Sequence, residues 1–177
     1  MVSMVVVFYM FIIVFAIAGA MRGWAKELLV IFSVVLSLAF IVLVEQLVPG
    51  MAALLKGNTQ IWFRLSVLMV IVLFGYQSPR LARLSKAAER KERIQDILLG
   101  LVLGAVSGYM VIGTVWWFFN QANYPFIRSF IVEPKDAPNK ETILRIINML
   151  PPVFLGKPTN VFIAVVLAFI FVIVVFV

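Results

Sequence analysis

The ionisable side chains, from which most catalytic and metal-binding sites are built, are few in this chain. They lie mainly at the edges of long apolar stretches. The 177 residues include eight Asp and Glu, fifteen Lys and Arg, no Cys and no His. Without thiol or imidazole groups, most metal-ligand sets and nucleophile–base pairs cannot form. The carboxylates show no close spacing typical of a metal site, and no glycine-rich strand-to-helix turn is present to bind a phosphate. The sequence therefore predicts no enzymatic activity, no cofactor and no metal.

Glu45 is the ionisable group that lies deepest in any apolar stretch. A charge at the centre of a bilayer costs about 2.5–3.5 kcal/mol on the insertion scale, so such a group usually marks a transport or relay site. Glu45 lies near the end of its stretch, and its side chain can reach the membrane surface. The favoured interpretation is an interfacial carboxylate, and the alternative is a functional one.

The composition around these groups is that of an integral membrane protein. The chain is 64% hydrophobic and 13% charged, with a mean hydropathy of +1.11, against roughly 45–50% and about 25% in soluble domains. The net charge of +7 raises the alternative of a nucleic-acid partner. The Lys and Arg residues, however, lie in connectors and at helix ends, where topology and anionic lipid headgroups account for them. We therefore expect the lipid bilayer and not a nucleic acid as the partner.

The predicted fold class is all-α, a polytopic helical membrane bundle with about five transmembrane helices plus a basic amphipathic connector helix. About 20 helical residues at 1.5 Å each cross the ~30 Å hydrocarbon core. The predicted spans are residues 1–20, 28–47, 61–76, 97–119 and 159–177. A cleaved signal peptide is the alternative for the first span, but no basic residue precedes that apolar stretch. The predicted units are a membrane domain at 1–120, a proline-rich interfacial loop at 121–158 that lies in the interface or caps the bundle, and a transmembrane helix at 159–177.

The connector helix, residues 78–95, carries the densest group of basic side chains. Its basic face consists of Arg80, Arg83, Lys86, Arg90, Lys91 and Arg93. An amphipathic helix of this kind lies on the membrane surface and contacts anionic headgroups. Because short Lys/Arg-rich connectors stay in the cytoplasm, five spans place the N-terminus outside.

Glycines repeat every four residues in the fourth predicted span. Asp96 precedes the series Gly100, Gly104 and Gly108. An anion is favoured at the N-terminal end of a helix, where we place Asp96. The glycines leave one helix face nearly bare, so another helix can approach closely; a role in a pore is the alternative. The complementary small residues on the first two spans are Ala16, Ala20 and Gly23.

Two sequence blocks resemble the colicin V production (CvpA) membrane protein family. The block from Arg22 to Glu27, which follows a small-residue turn, is similar to the family's Arg-Gly-aromatic-x-basic-Glu signature. Asp96 and the glycine series are similar to the start of its fourth helix. The resemblance covers about residues 5–120, and Ser107 stands where the family often has a basic residue. The signature residues are Gly19, Arg22, Gly23, Trp24, Lys26, Glu27, Asp96, Gly100, Gly104 and Gly108.

This resemblance implies a CvpA-like four-helix domain at residues 1–120 and a non-enzymatic protein of the bacterial cytoplasmic (inner) membrane. The family is linked to colicin V production or export, a branch of toxin biosynthesis, and to envelope homeostasis. One alternative is a small accessory or scaffolding subunit that docks other membrane subunits, or further copies of itself, through residues 120–158. A weaker alternative is a channel or transporter, lined by the hydroxyls of Ser33, Ser37, Ser107 and Thr114.

Overall fold

The fold is helical apart from one short strand pairing. The computed structural model describes residues 2–47, 50, 57–77, 90–125, 131–132 and 140–176. The helices in these ranges are α1 Met4–Arg22, α2 Trp24–Leu47, α3 Asn58–Tyr76, α4 Arg90–Gln121, α5 Lys140–Met149, α6 Pro151–Leu155 and α7 Pro158–Phe176. The strands β1, Val2–Ser3, and β2, Ile131–Val132, pair in parallel. The predicted all-α class is confirmed.

Four helices in the described ranges, α1 to α4, are long and apolar enough to cross a membrane. Each crossing matches the ~30 Å hydrocarbon core, because its 19 or more residues rise about 1.5 Å each. Backbone groups inside a helix bond to one another, which removes the cost of placing them in lipid. The chain is therefore a multi-pass helical membrane protein.

Helix α2 is the centre of the bundle, and α1 and α3 lie at its periphery. In the most apolar part of α2, 56% of the residues are buried, against 17% in α1 and in α3. The buried side chains of α2 include Val30, Val34 and Leu38. They form one core with Leu68 and Val72 of α3 and further residues of α4 and α7.

Helix α4 begins earlier than predicted, at Arg90, because no proline or glycine interrupts the chain between Arg90 and the apolar segment. The basic connector is thus continuous with α4 at its C-terminal end. Arg80, Arg83 and Lys86 lie outside the described residues, as do the side chains of Arg90, Lys91 and Arg93. The basic membrane-surface face stays a prediction.

The proline-rich segment caps one end of the bundle where it is described. Ile143 and Ile147 of α5 and Leu150 are buried in a second core with Phe8 of α1 and Trp116 of α4. The Tyr109 hydroxyl of α4 donates to the Met149 carbonyl. This segment was predicted to lie in the interface or to cap the bundle, and its described part caps the bundle. Residues 126–130 and 133–139 lie outside the described ranges.

Candidate functional site

The turn between α1 and α2 depends on Gly23. The Gly23 amide donates to the Gly19 carbonyl at 2.9 Å and closes α1. Its φ of +88° lies in the left-handed region that favours glycine. The next residue, Trp24, already starts α2. A one-residue turn therefore connects α1 to α2 and fixes the geometry of this helical hairpin.

Asp96 of α4 caps α2, not its own helix. Its Oδ1 atom accepts a hydrogen bond from the Trp24 backbone amide at 3.1 Å. The prediction that Asp96 lies at the N-terminal end of its own helix was wrong, because α4 begins at Arg90. The helix dipole that Asp96 complements is that of α2. A Cβ atom on Gly23 would lie 2.9 Å from this oxygen, so the carboxylate is a second reason for glycine there.

Replacing Asp96 tests this cap. We expect Asp96→Ala to lower the free energy of unfolding by about 1 kcal/mol, the usual loss when a capping side chain is removed. Asp96→Asn should retain most of that stability, since an amide oxygen also accepts from the Trp24 amide. Chemical unfolding in detergent micelles measures both variants. Equal stability of Asp96→Ala and the wild type would contradict the capping role.

The predicted close approach of the glycine face is confirmed. A Cβ atom on Gly104 would lie 2.5 Å from the Phe15 carbonyl oxygen and 2.9 Å from the Gly19 Cα. Both neighbours are backbone atoms and cannot turn away. On Gly108 the added atom would lie 2.6 Å from the Phe15 Cβ. Of the predicted small partner residues, Ala16 and Gly23 lie at this contact: the Ala16 Cα would be 3.1 Å from a Cβ on Gly104, and the Gly23 Cα 3.3 Å from one on Gly100. Phe15 and Gly19 complete the partner surface and were not predicted.

We call the contact of Gly100, Gly104 and Gly108 with α1 the glycine seam. Glu27 is buried next to it, with 1% of its surface exposed. Arg22 Nη1 lies 3.2 Å from Glu27 Oε1, and the Ser107 hydroxyl donates to Oε2 at 2.6 Å. Arg22, five residues before Glu27, is therefore its ionic partner. Lys26, the basic residue directly before Glu27, is exposed. The role of Ser107 was missed, although a polar residue inside a glycine face is a signal that it meets a polar group across the seam.

Arg22 joins the same group of residues to α3. Its guanidinium carbon lies 4.2 Å from the centroid of the Tyr76 ring, and Nη2 donates to the Tyr76 carbonyl at 3.4 Å. We call Arg22, Glu27, Tyr76 and Ser107 the Glu27 cluster. One residue comes from each of α1, α2, α3 and α4. The cluster therefore ties four membrane-spanning helices together at one end of the bundle.

A second ion pair lies at the other end of α2. Arg64 of α3 donates from Nε to Glu45 Oε1 at 2.8 Å and from Nη2 to Oε2 at 2.9 Å. Glu27 and Glu45 are 18 residues apart, or about 27 Å along a helix, close to the ~30 Å hydrocarbon thickness. The two ion pairs thus lie near opposite ends of α2. Arg64 is a partner of Glu45 that the sequence did not indicate; the interfacial position of Glu45 stays a prediction.

The hydroxyls named for a channel bond inside the protein. Ser33 donates to the Leu29 carbonyl, Ser37 to that of Val34, and Thr114 to that of Met110. Ser107 donates to Glu27. Such bonds are the usual way in which hydroxyl side chains are satisfied in membrane helices. These hydrogen bonds account for the placement of the four hydroxyl groups without a permeating solute.

The contacts of the Glu27 cluster join helices to one another. Each Glu27 oxygen has a donor, and no group of three His, Cys, Asp or Glu side chains in the described ranges is placed to hold a metal ion. Comparisons with protein-family models, curated proteins and solved structures give no match to this chain. The site therefore has to be interpreted from its own geometry.

Proposed function

We propose that this chain is a non-enzymatic inner-membrane protein of the CvpA type, with a role in colicin V production or export and in envelope homeostasis. One observation supports it: the two sequence blocks that resemble the family meet in space. Trp24 and Asp96, 72 positions apart, are hydrogen bonded, and the backbone of Gly19 lies against Gly100 and Gly104. These signature residues of the two blocks therefore contact one another in the fold.

The proposed topology has five spans, with α7 as the fifth. Phe169 of α7 packs edge-to-face on Phe32 of α2, with ring centroids 5.0 Å apart. Helix α7 begins beside the proline-rich cap and returns along α2 toward the Glu27 cluster. With the basic connector in the cytoplasm, the Glu27 cluster lies at the cytoplasmic surface. The Glu45–Arg64 pair and the N-terminus then lie at the outer surface.

Complementation tests the proposed function. In a bacterium that produces colicin V but lacks its own CvpA-type protein, expression of this chain is expected to restore toxin release. The zone of growth inhibition on a sensitive lawn measures it. Gly104→Leu is expected to restore no release, and Val102→Leu, a change on an exposed part of the same helix, is expected to act like the wild type. No restoration by a wild-type chain present in the membrane at normal amounts would contradict the proposal.

The exposed faces of α1 and α3 favour a second candidate, an accessory subunit of a larger membrane complex. On α3, the side chains of Trp62, Met69 and Phe74 are 57%, 61% and 71% exposed. Lipid covers such a face as readily as a partner helix does, because apolar contacts alone do not distinguish them.

Extraction of the native membrane in a mild detergent, followed by mass analysis, separates the two candidates. The CvpA-type proposal predicts that the chain is recovered alone or with copies of itself. Recovery with a fixed set of other membrane proteins would favour the accessory subunit.

A further inference from the structure

A polar cavity lies beside the Glu45–Arg64 pair, between the start of α3 and the end of α4. Its volume is about 320 Å³. Its lining includes the amides of Asn58, Gln60 and Gln121, the Arg64 guanidinium, and the rings of Trp117 and Phe118. The cavity is separate from the Glu27 cluster and has no part in the proposed function above. It lies at the level of the membrane surface, where water and lipid headgroups meet.

The charges around the cavity cancel. Two of the five N–H donors of Arg64 bond to Glu45, so the pair presents no net charge. Gln60 also donates to Glu45, at 3.4 Å. Among the described residues that line the cavity, Arg64 alone is charged. Its guanidinium would repel a cation, and its bonds to Glu45 leave no surplus positive charge to balance an anion.

The remaining groups match hydroxyls. A side-chain amide both donates and accepts hydrogen bonds, as a hydroxyl group does, so amides and an ion pair can bind several adjacent hydroxyls at once. The Trp117 and Phe118 rings lie beside them, with centroids 5.7 Å from the Arg64 guanidinium carbon. Aromatic faces next to planar polar groups suit a ring whose edges carry hydroxyls and whose faces carry C–H bonds.

We propose that this cavity binds an uncharged, hydroxyl-rich group of the size of one sugar ring. Ligand pockets range from about 300 to 1,000 Å³, and a cavity at the lower end holds a single ring better than an oligosaccharide. Two sources supply this chemistry at the membrane surface. One is the sugar headgroup of a glycolipid, and the other is a free sugar in the water.

The experiment uses the full chain in phosphatidylcholine nanodiscs. Glucosyl diacylglycerol or phosphatidic acid is added as a minor component, and native mass spectrometry counts the lipid that remains bound. We expect glucosyl diacylglycerol to be retained at least about fivefold over both phospholipids. Preference for phosphatidic acid, or no lipid preference together with no response to free glucose, would overturn the proposal. Titration with free glucose, followed by tryptophan fluorescence, identifies the source: a response assigns the site to soluble sugars as well, and its absence with retained glycolipid assigns it to lipid.

Gln121→Ala locates the site without touching the ion pair, because Gln121 is exposed at the end of α4. Loss of one or two hydrogen bonds should lower retention of the glycolipid by roughly three- to tenfold. Gln46→Ala is the matched control, since Gln46 is exposed at the same end of the bundle but does not line the cavity. Equal retention by Gln121→Ala and Gln46→Ala would place the bound lipid elsewhere and overturn the assignment of the cavity.

Discussion

Gly104→Leu is expected to separate α1 from α4 and to produce a large loss of stability. The first added carbon would lie 2.5 Å from the Phe15 carbonyl oxygen and 2.9 Å from the Gly19 Cα, and three more carbons follow. Overpacking in a core costs about 1–3 kcal/mol when side chains can adjust. Backbone atoms cannot adjust without moving the whole helix, so we expect the free energy of unfolding to fall by more than about 3 kcal/mol. Unfolding in mixed micelles measures it.

Two further variants show how the loss of stability depends on the size and position of the added side chain. Gly104→Ala adds the first carbon alone and is expected to lose roughly 1–3 kcal/mol. Val102→Leu adds a carbon to a side chain that is 57% exposed on the same helix and should change little. If Gly104→Leu were as stable as Val102→Leu, the close packing of α1 on α4 would be refuted.

The local features of this structure were predictable from short sequence patterns. Gly23 between two apolar segments predicts a tight turn, the glycine series predicts a close helix contact, and Arg22 and Lys26 near Glu27 indicate that one of the two pairs with it. Each of these features depends on residues that are close in the sequence, either within one helix or on the two sides of one chain reversal. Such patterns have the same meaning wherever the helix packs.

The contacts between distant segments were not predictable in the same way. Asp96 caps α2 and Arg64 pairs with Glu45 only because α4 and α3 stand at particular heights beside α2. A shift of one helical turn, about 5.4 Å, would break both contacts. The sequence of one helix does not determine its position along the bundle axis relative to the neighbouring helices. The glycine seam sets this height for α4, because Gly100 and Gly104 both lie against the backbone of Gly19.

The Glu27 cluster is the second place where a single change has a large expected effect. Arg22→Met leaves Glu27 without its cation although only 1% of the Glu27 surface is exposed. Removing one partner of a buried ion pair typically costs about 3–5 kcal/mol, because the other charge stays in a poor solvent. Glu27→Gln should cost less, roughly 1–3 kcal/mol, since the amide oxygen still accepts from Ser107 and Arg22, 24% exposed, can turn toward water.

The double variant Arg22→Met, Glu27→Gln shows why Arg22→Met loses stability. The cause is either the unpaired charge of Glu27 or the lost packing of the Arg22 side chain. If the unpaired carboxylate is the cause, the double variant is more stable than Arg22→Met alone, although it carries one change more. Lys26→Met removes a positive charge from the same turn at an exposed position and is expected to be neutral. Additive losses in the double variant would mean that Arg22 stabilises the bundle through its contact with Tyr76 and not through Glu27. The ionic tie between α1 and α2 would then have to be abandoned.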